Sequence, residues 1–413
     1  MTQVSFLATA RLTAVLLAAL LVPQVAWTEA PPLQEVMGEP SYVFAADAAR
    51  VSVTRRGGHV GPVVFQFHGR EVSPLSVAPW WKDQQTQDIT QARYATPLVD
   101  VLRGDFFCVP FGVNADPLGT EQYVLHGKTA NDDWRLEGLD TTEQGATLHL
   151  SMETSVRPGR VDKWVSLREG QTAVYQRHRI TGMAGPMNYG HHTMVAFPDR
   201  EGAGLYSCSS YVYGQVAPQP FEDPATGGYC ALETGAVFDD LARVPTQTGD
   251  TADLTRFPAR RGYDDLVMLV SDPELAFAWN VVVFPEEGYA WFSIRPRDEL
   301  PMTLLWISNG GRHYPPWNGR HVNVMGIEDV LGYFHYGIAD SVAENPVSKL
   351  GHATSRVLEA DAPFETHHVF GILAVPEGFG RVRDLTLSEG ELLLTDVAGH
   401  TARTPLDTNF LNR

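Results

Sequence analysis

Residues 266–308 read "LVMLVSDPELAFAWNVVVFPEEGYAWFSIRPRDELPMTLLWIS" and contain four apolar runs separated by short polar segments. The runs are rich in Val, Phe, Trp and Thr, which are residue types that favour β-strands, and each is as short as a typical strand. The segments between them carry Asp, Pro, Glu and Gly, which are frequent in turns. Short connections favour antiparallel pairing, because a parallel pair needs a long crossover. This stretch therefore predicts antiparallel β-sheet.

The same pattern extends through most of the chain from Tyr42 onward. Similar runs are "ARVSVTRR" at 49–56, "GPVVFQFHG" at 61–69, "ATLHLSMET" at 146–154 and "TAVYQRHRI" at 172–180. We therefore predict an all-β domain over residues 40–413, built from antiparallel sheets packed face to face. Residues 202–262, which are rich in Gly, Pro, Ser and Thr, are predicted to form an extended excursion between strands.

One segment, "GIEDVLGYFHYGIADSV" at 326–342, has a different periodicity. Its apolar residues recur at helical spacing; they are Ile327, Val330, Leu331, Phe334 and Ile338. Two acidic residues open the run, where a helix N-terminus favours negative charge. We predict a short helix over residues 328–340. At the start of that helix, Glu328 has an alternative, purely structural interpretation as a carboxylate stabilised by the helix dipole.

Composition excludes some classes of partner. The chain has 413 residues, 44% of them hydrophobic, with a formal net charge of −18 and a pI near 5.1. A negative field repels phosphate backbones and acidic membrane surfaces, so nucleic acid is not an expected partner. The 10% share of aromatic residues fits a turn-rich β protein that offers rings to a ligand.

The N-terminus resembles a secretory signal. Arg11 precedes an apolar run over residues 12–22, and small residues follow around Ala26 and Ala30. The run is short for a bilayer span, so residues 1–26 are predicted to be a secretory signal segment. The protein is then exported, either to a periplasm or outside the cell; an uncleaved membrane anchor is the alternative. No later segment is long and apolar enough to suggest an integral membrane domain.

Cysteine usage is sparse. Cys108, within "FFCVPF", is expected to be a small buried apolar residue. Cys208 and Cys230 could form a disulfide in an oxidising compartment, which the sequence alone leaves open.

Polar residues that could carry chemistry stand in several short motifs. These are Arg103 in "VLRGDFFCVPFG", His126 in "YVLHGKTANDDWRL", His191 and His192 in "MNYGHHTMVAFP", Asp264 and Asp265 in "RRGYDDLVML", and Glu328 in "VMGIEDV". Taken in order, the motifs resemble the galactose mutarotase-like superfamily, in particular aldose 1-epimerases and hexose-6-phosphate epimerases. The opening "GGHVGPVVFQFHGREVSP" at 57–74 also resembles the first hairpin of those proteins. The resemblance implies an antiparallel β-supersandwich with one or two short helices and a sugar site on its concave face.

The resemblance also implies roles for individual residues. Glu328 matches the base that removes the proton of the anomeric hydroxyl, and His192 matches the acid that protonates the ring oxygen. If the match is shifted by one residue, His191 takes the place of His192. His126 matches a histidine that holds the substrate. Arg103 matches the sugar-binding arginine, and Asp265 matches the aspartate that binds hydroxyls. Independently of the resemblance, Trp80, Trp81, Trp306 or Trp317 could stack on the apolar face of a sugar.

The chemistry of ring opening is consistent with those residue types. Opening a pyranose requires a base at O1 and an acid at O5 at the same time. Carboxylate and imidazole are side chains whose pKa values can be tuned to opposite roles near neutral pH. Gly127, next to His126, would let the backbone turn so that the imidazole points into the cleft.

Three hypotheses follow, and the first two require no cofactor. The first is an exported sugar mutarotase or epimerase acting on a monosaccharide or a glycan end, with a free sugar favoured over a phosphorylated one. The second is a non-catalytic carbohydrate-binding protein on the same fold. The third is a metal site built from His126, His191, His192 and Glu328; it ranks last because adjacent histidines on a strand point to opposite faces. The oligomeric state is left open.

Overall fold

The computed structural model describes residues 31–83 and 96–412, so the predicted signal segment at 1–26 lies outside the described residues. In chain order the first strands are β1 (Gln34–Val36), β2 (Glu39–Ala46), β3 (Ala49–Thr54), β4 (Val60–Phe67), β5 (Arg70–Val72), β6 (Asp105–Cys108), β7 (Arg135–Thr142), β8 (Gly145–Thr154), β9 (Gly159–Arg168) and β10 (Ala173–Thr181). The next are β11 (Gly185–Met187), β12 (Tyr189–Ala196), β13 (Gly204–Cys208), β14 (Tyr211–Val216), β15 (Val237–Phe238), β16 (Val244–Pro245), β17 (Thr251–Ala252), β18 (Arg256–Phe257) and β19 (Tyr263–Ser271). The last are β20 (Phe277–Phe284), β21 (Tyr289–Pro296), β22 (Met302–Asn309), β23 (Val324–Leu331), β24 (Arg356–Leu358), β25 (Phe364–Ala374), β26 (Val382–Ser388), β27 (Glu391–Asp396) and β28 (Thr401–Pro405). The α-helices are α1 (Pro97–Val101), α2 (Ile338–Val342) and α3 (Pro346–Lys349).

Two large antiparallel sheets dominate the fold. The larger has twelve strands in the order β1-β2-β3-β4-β6-β12-β23-β22-β19-β14-β15, with β5 paired to β4. The smaller has nine strands in the order β18-β13-β20-β21-β25-β10-β9-β8-β7. The predicted all-β architecture of antiparallel sheets is thus confirmed. The four runs of residues 266–308 divide between the sheets, since β19 pairs with β22 in the larger and β20 pairs with β21 in the smaller.

Apolar side chains fill three layers. The main core lies between the two sheets, where Phe65, Leu305 and Ile327 of the larger sheet meet Leu148 and Phe370 of the smaller. A second cluster covers the opposite face of the larger sheet and includes Phe106, Trp306 and Trp317. A third packs strands β26–β28 onto the outer face of the smaller sheet. The larger sheet is therefore covered on both faces.

The predicted helix over residues 328–340 is wrong. Residues 324–331 form β23, which pairs with β12 on one side and with β22 on the other, and all eight of its residues are buried. A strand buried on both faces does not alternate between apolar and polar residues, so its apolar residues can fall by chance at helical spacing. The helix begins only at Ile338 and is the five-residue α2.

Residues 202–262 are more regular at their start than predicted. β13 joins the smaller sheet next to β20, and β14 joins the larger sheet next to β19. The irregular excursion begins after β14, where the strands are only two residues long. This later part brings Phe221 to the edge of the second apolar cluster.

The three cysteines are all free, so Cys208 and Cys230 do not form the disulfide that the sequence left open. Cys108 is buried, as predicted. Within the described residues, no helix has both the length and the apolar character that a membrane span requires.

Candidate functional site

A cleft opens on the face of the larger sheet that points away from the smaller sheet. It encloses about 600 Å³ of empty space, part of it open to solvent. The polar side chains that line it are His126, His192, Arg312, Glu328 and His335. Most of the other lining residues are apolar, among them Phe106, Leu266, Trp306 and Trp317. A concave, mainly apolar site with a few convergent polar groups is typical of a small-molecule site.

Strand alternation selects which side chains reach the cleft. β6, β12 and β23 are neighbours in the larger sheet, and His192 pairs with Phe106 across the first two strands. Because successive residues of a strand point to opposite faces, His192 faces the cleft and His191 faces the smaller sheet. The same rule directs Glu328 to the cleft and Asp329 to the interior.

His192 and Glu328 form the polar centre of the cleft. Nε2 of His192 lies 3.3 Å from Oε1 of Glu328, and both side chains are almost fully buried. Burial raises the pKa of Glu328 to about 8, and the charge of Arg312 opposes this shift. Burial lowers the pKa of His192 to about 4, against the charge of Asp105. At neutral pH the contact therefore joins two uncharged groups, and the pair holds one proton.

His126 approaches the same centre from a loop. Its ring centroid lies 5.2 Å from that of His192, and its Nδ1 accepts a hydrogen bond of 3.2 Å from the backbone N–H of Gly112. Burial holds the pKa of His126 well below its usual value, so the imidazole is neutral and its Nε2–H is the donor left for a ligand. Gly127 has φ of +72°, and a Cβ there would lie 2.0 Å from the carbonyl oxygen of Val109. The turn that positions His126 thus requires glycine.

The structure does not bring Arg103 to the cleft. The buried guanidinium of Arg103 donates hydrogen bonds to the backbone carbonyls of Val36, Met37 and Val101. Each of its three nitrogens thus already donates to a backbone carbonyl. Arg103 does not line this cleft; it ties β1 to the strand that follows α1.

Asp265 is also outside the cleft. Its Oδ1 accepts hydrogen bonds of 2.9 Å from the backbone N–H groups of Ala231 and Leu232, so it anchors the excursion after β14. Its neighbour Asp264 points the other way and lies near Trp306 and Arg312. Asp265 therefore does not line this cleft. The sequence alone does not show which side of the strand each member of the Asp pair faces.

Two of the proposed stacking residues line the cleft. Trp306 and Trp317 form a perpendicular pair with ring centroids 5.7 Å apart. Trp80 packs behind Trp317 at 4.8 Å and donates its indole N–H to the carbonyl of Val99, so it supports the wall. Trp81 does not line the cleft.

Sequence reasoning missed Arg312 and His335. Arg312 lies above Trp306 and Trp317, with its guanidinium carbon 5.1 and 4.6 Å from the two ring centroids. Its Nε donates a hydrogen bond of 2.8 Å to the buried Glu222. The only signal for it was the motif "NGGRHYPPWNG" between two strands, which is rich in Gly and Pro. His335 was placed in the predicted helix and carried no separate signal.

Behind the cleft, the interior holds a second set of histidine–carboxylate contacts. Nδ1 of His191 lies 2.9 Å from Asp105, and its ring stacks on that of His368 with centroids 4.3 Å apart. Potential metal-ligand atoms of these three residues lie within 4.8 Å of one another. Both oxygens of Asp105 already accept hydrogen bonds from His191, Gln176 and Thr193, so the arrangement is that of a hydrogen-bond network. Because His191 belongs to this network, the four-residue metal site considered from the sequence does not form.

Comparisons with known proteins identify the fold. No family model matches the chain, and no curated protein matches its sequence. Among solved structures, a galactose mutarotase-like protein from Clostridium acetobutylicum matches with a TM-score of 0.56 at 12% identity, over 83% of this chain and 98% of that one. A protein from Klebsiella pneumoniae provisionally assigned as an aldose 1-epimerase matches with a TM-score of 0.53 at 13% identity, over 82% of this chain and 81% of that one. A similarly assigned protein from Escherichia coli K12 matches with a TM-score of 0.52 at 12% identity, over 81% and 99%.

The fold is therefore galactose mutarotase-like, as the sequence motifs predicted. At 12–13% identity the likeness establishes the fold alone. Fold does not determine function, so the chemistry has to be argued from the cleft.

Proposed function

We propose that the cleft binds a free aldose and interconverts its anomers by general acid/base ring opening. The observation that carries this proposal is the contact between His192 Nε2 and Glu328 Oε1, at 3.3 Å, on the floor of a cleft walled by Trp306 and Trp317. Glu328 acts as the base at O1 and His192 as the acid at O5. An N-terminal secretory segment would place the activity outside the cytoplasm.

The short distance between the two groups suits this reaction. In a pyranose, O1 and O5 are both bonded to C1, so the base and the acid must reach two atoms that lie close together. Two groups on adjacent strands of one sheet meet that requirement and are held by the backbone rather than by a loop.

The proton transfers of this mechanism also balance. When Glu328 is ionised and His192 is protonated, Glu328 takes the O1 proton while His192 gives its proton to O5. The C1–O5 bond breaks and O1 becomes the oxygen of the aldehyde. The pair then still holds one proton, now on Glu328, and ring closure on the other face of the aldehyde returns it. Between the two pKa values of about 4 and about 8 the pair holds one proton, which lies mostly on Glu328, and the reactive form is the minor one in which that proton lies on His192 instead.

The remaining lining residues position the sugar. The rings of Trp306 and Trp317 suit the C–H face of a pyranose. The Nε2–H of His126 and the guanidinium of Arg312 are donors for hydroxyl oxygens.

A second candidate is binding without catalysis. The observation that favours it is the raised pKa of Glu328, because a carboxyl group that is mostly protonated at neutral pH is a weak base but still a good hydrogen-bond partner. The two candidates differ only in whether bound sugar exchanges anomers faster than it does in buffer.

The deciding experiment is NMR exchange spectroscopy at the anomeric protons of D-galactose, D-glucose and other free aldoses. We expect the wild-type protein to accelerate exchange, and Glu328→Gln to slow it by about 10²–10⁴-fold, the typical contribution of a positioned base. The exposed Glu359→Gln is the matched control and should exchange at the wild-type rate. Saturation-transfer signals from bound sugar together with exchange at the buffer rate would reject catalysis and support the binding protein.

A further inference from the structure

The loop after β14 places a buried carboxylate against the cation of the cleft. The side chain of Glu222 is fully buried, and its Oε1 lies 2.8 Å from Nε of Arg312. The hydroxyl of Tyr314 donates to the same carboxylate, at 3.2 Å to Oε1 and 3.0 Å to Oε2. Gly228 permits this close packing, because a Cβ there would lie 2.2 Å from Oε2 of Glu222. The carboxylate is therefore held in place on several sides.

A second carboxylate faces the same guanidinium. Oδ2 of Asp264 lies 3.6 Å from Nε of Arg312 and accepts a hydrogen bond of 2.9 Å from Ser308. Burial raises the pKa of Asp264 to about 6, against the charge of Arg312, so this group is mostly ionised at pH 7. Arg312 thus lies between two negative charges.

No other charged group of the described cleft lining balances these charges at neutral pH. Burial lowers the pKa of each of the nearby histidines, which are His126, His192, His321 and His335. Burial also raises the pKa of Glu328 to about 8, so it is mostly protonated. Arg312 is the only Lys or Arg among the described residues that line the cleft. Among the described residues, Arg312 is therefore the one charged group of the cleft lining at neutral pH, and the carboxylates of Glu222 and Asp264 contact it without lining the cleft themselves.

We propose that Glu222 determines the charge selectivity of the cleft by neutralising Arg312. With its charge compensated by Glu222, the guanidinium acts as a hydrogen-bond donor to sugar hydroxyls and offers an anionic sugar little net attraction. Without Glu222, the guanidinium would be a partly compensated buried cation, which attracts carboxylate or phosphate strongly. This inference rests on the proposed function, because it takes a sugar as the ligand. Glu222 is a positioning residue, since it acts through Arg312.

The test compares binding of D-galactose and D-galacturonate to wild-type protein and to Glu222→Gln. We expect wild type to prefer galactose, and Glu222→Gln to shift the ratio of the two dissociation constants towards galacturonate by roughly tenfold, the change that corresponds to about 1.4 kcal/mol. Tyr314→Phe is the matched control, because it removes a hydrogen bond from Glu222 but keeps the carboxylate. The control should leave the ratio unchanged even if both affinities fall.

A double substitution shows whether the effect passes through Arg312. The shift towards galacturonate should vanish in Glu222→Gln/Arg312→Gln, because the guanidinium whose charge was released is gone. A shift of the same size in the double variant, or an equal shift in Tyr314→Phe, would overturn the proposal.

The pH dependence of the wild type gives a test that needs no substitution to fold. Asp264 takes up a proton as the pH falls from 7 to 5, through its pKa of about 6, and galacturonate stays ionised over that range. The site becomes less negative, so the ratio should move towards galacturonate. A ratio that stays constant with pH and in Glu222→Gln, or equal binding of both sugars at pH 7, would overturn the charge-selectivity proposal and leave the proposed function standing. Failure of the wild type to bind any sugar would overturn both.

Discussion

Two histidine–carboxylate arrangements lie on opposite faces of strand β23, and they differ in how many donors reach the carboxylate. On the cleft side, Glu328 has His192 at 3.3 Å, and burial raises its pKa to about 8. On the interior side, Asp329 pairs with Arg295 at 2.8 Å and accepts hydrogen bonds from His368 and Ser293. The charge of Arg295 and the hydrogen bonds together outweigh the effect of burial, so the pKa of Asp329 is held below its usual value.

The comparison teaches that burial alone does not determine the charge of a carboxyl group. Glu328 and Asp329 are adjacent residues of one strand and are equally inaccessible, yet their pKa values shift in opposite directions. The interior carboxylate is ionised because a guanidinium and several hydrogen-bond donors stabilise its charge. The cleft carboxyl group lacks that number of donors, so its proton remains available for chemistry.

The largest expected effect is on the rate of the proposed reaction. His192→Asn removes the group that protonates O5 and should lower the rate of anomeric exchange by about 10²–10⁴-fold. His191→Asn, on the interior side, should alter stability more than the rate measured on folded protein. Exchange spectroscopy on both variants, with circular dichroism to confirm folding, checks this contrast. Similar rates in the two variants would show that the cleft-facing histidine has no special role.

The second prediction concerns stability. Asp329→Asn leaves Arg295 buried with a neutral partner and should lower the free energy of unfolding by about 3–5 kcal/mol, as breaking a buried pair typically does. Glu328→Gln should change it far less at pH 5, where Glu328 is protonated in the folded protein. Urea denaturation of both variants measures the difference. A loss of equal size in Glu328→Gln would mean that the two carboxyl groups are structurally equivalent.

The third prediction is the pH dependence of stability at Glu328. Its pKa is about 8 in the folded protein, against the ordinary value of 4.5 for a glutamate, so the folded state holds the proton more tightly. This contribution is fully present below pH 4.5 and is lost as the pH rises towards 8. The free energy of unfolding of Glu328→Gln should therefore rise relative to that of wild type between these pH values. Parallel pH profiles for the two proteins would contradict the raised pKa.

The smallest expected effect is on affinity at the cleft wall. Trp317→Phe keeps an aromatic ring but reduces the stacking area, and should weaken sugar binding only a few-fold, within the roughly 0.5–1.5 kcal/mol typical of one aromatic contact. Trp164→Phe, on a strand of the smaller sheet, is the control and should leave affinity unchanged. Titration calorimetry with the best aldose measures both. Equal losses in the two variants would place the sugar elsewhere.

Much of the fold could be predicted from local residue patterns. The apolar runs of residues 266–308 are all strands, because short runs of β-branched and aromatic residues fit the pleated, buried surface of a sheet. The periodicity of residues 326–342 misled because β23 is buried on both faces, and a burial pattern of that kind is set by neighbouring strands. Local sequence does not contain those neighbours.

The residues of the candidate site were likewise predicted only in part from the sequence. Motif resemblance identified His126, His192 and Glu328, which the structure brings to one cleft. It also proposed Arg103, which donates to backbone carbonyls, and Asp265, whose Oδ1 accepts from backbone N–H groups distant in sequence; neither lines the cleft. Their side chains look equally suited to bind a sugar until the positions of those backbone groups are known.

The sequence by itself determined the strand content, the types of chemical group available and the adjacent pairs His191–His192 and Glu328–Asp329. Only the tertiary structure decided which member of each pair faces the cleft, and that Arg312 is the cation beside them. The physical reason is that the facing of a strand residue depends on the register of pairing, and a shift of one residue exchanges the two faces. Register is set by contacts between segments far apart in the chain, and so is the number of donors that fixes the charge of each carboxyl group.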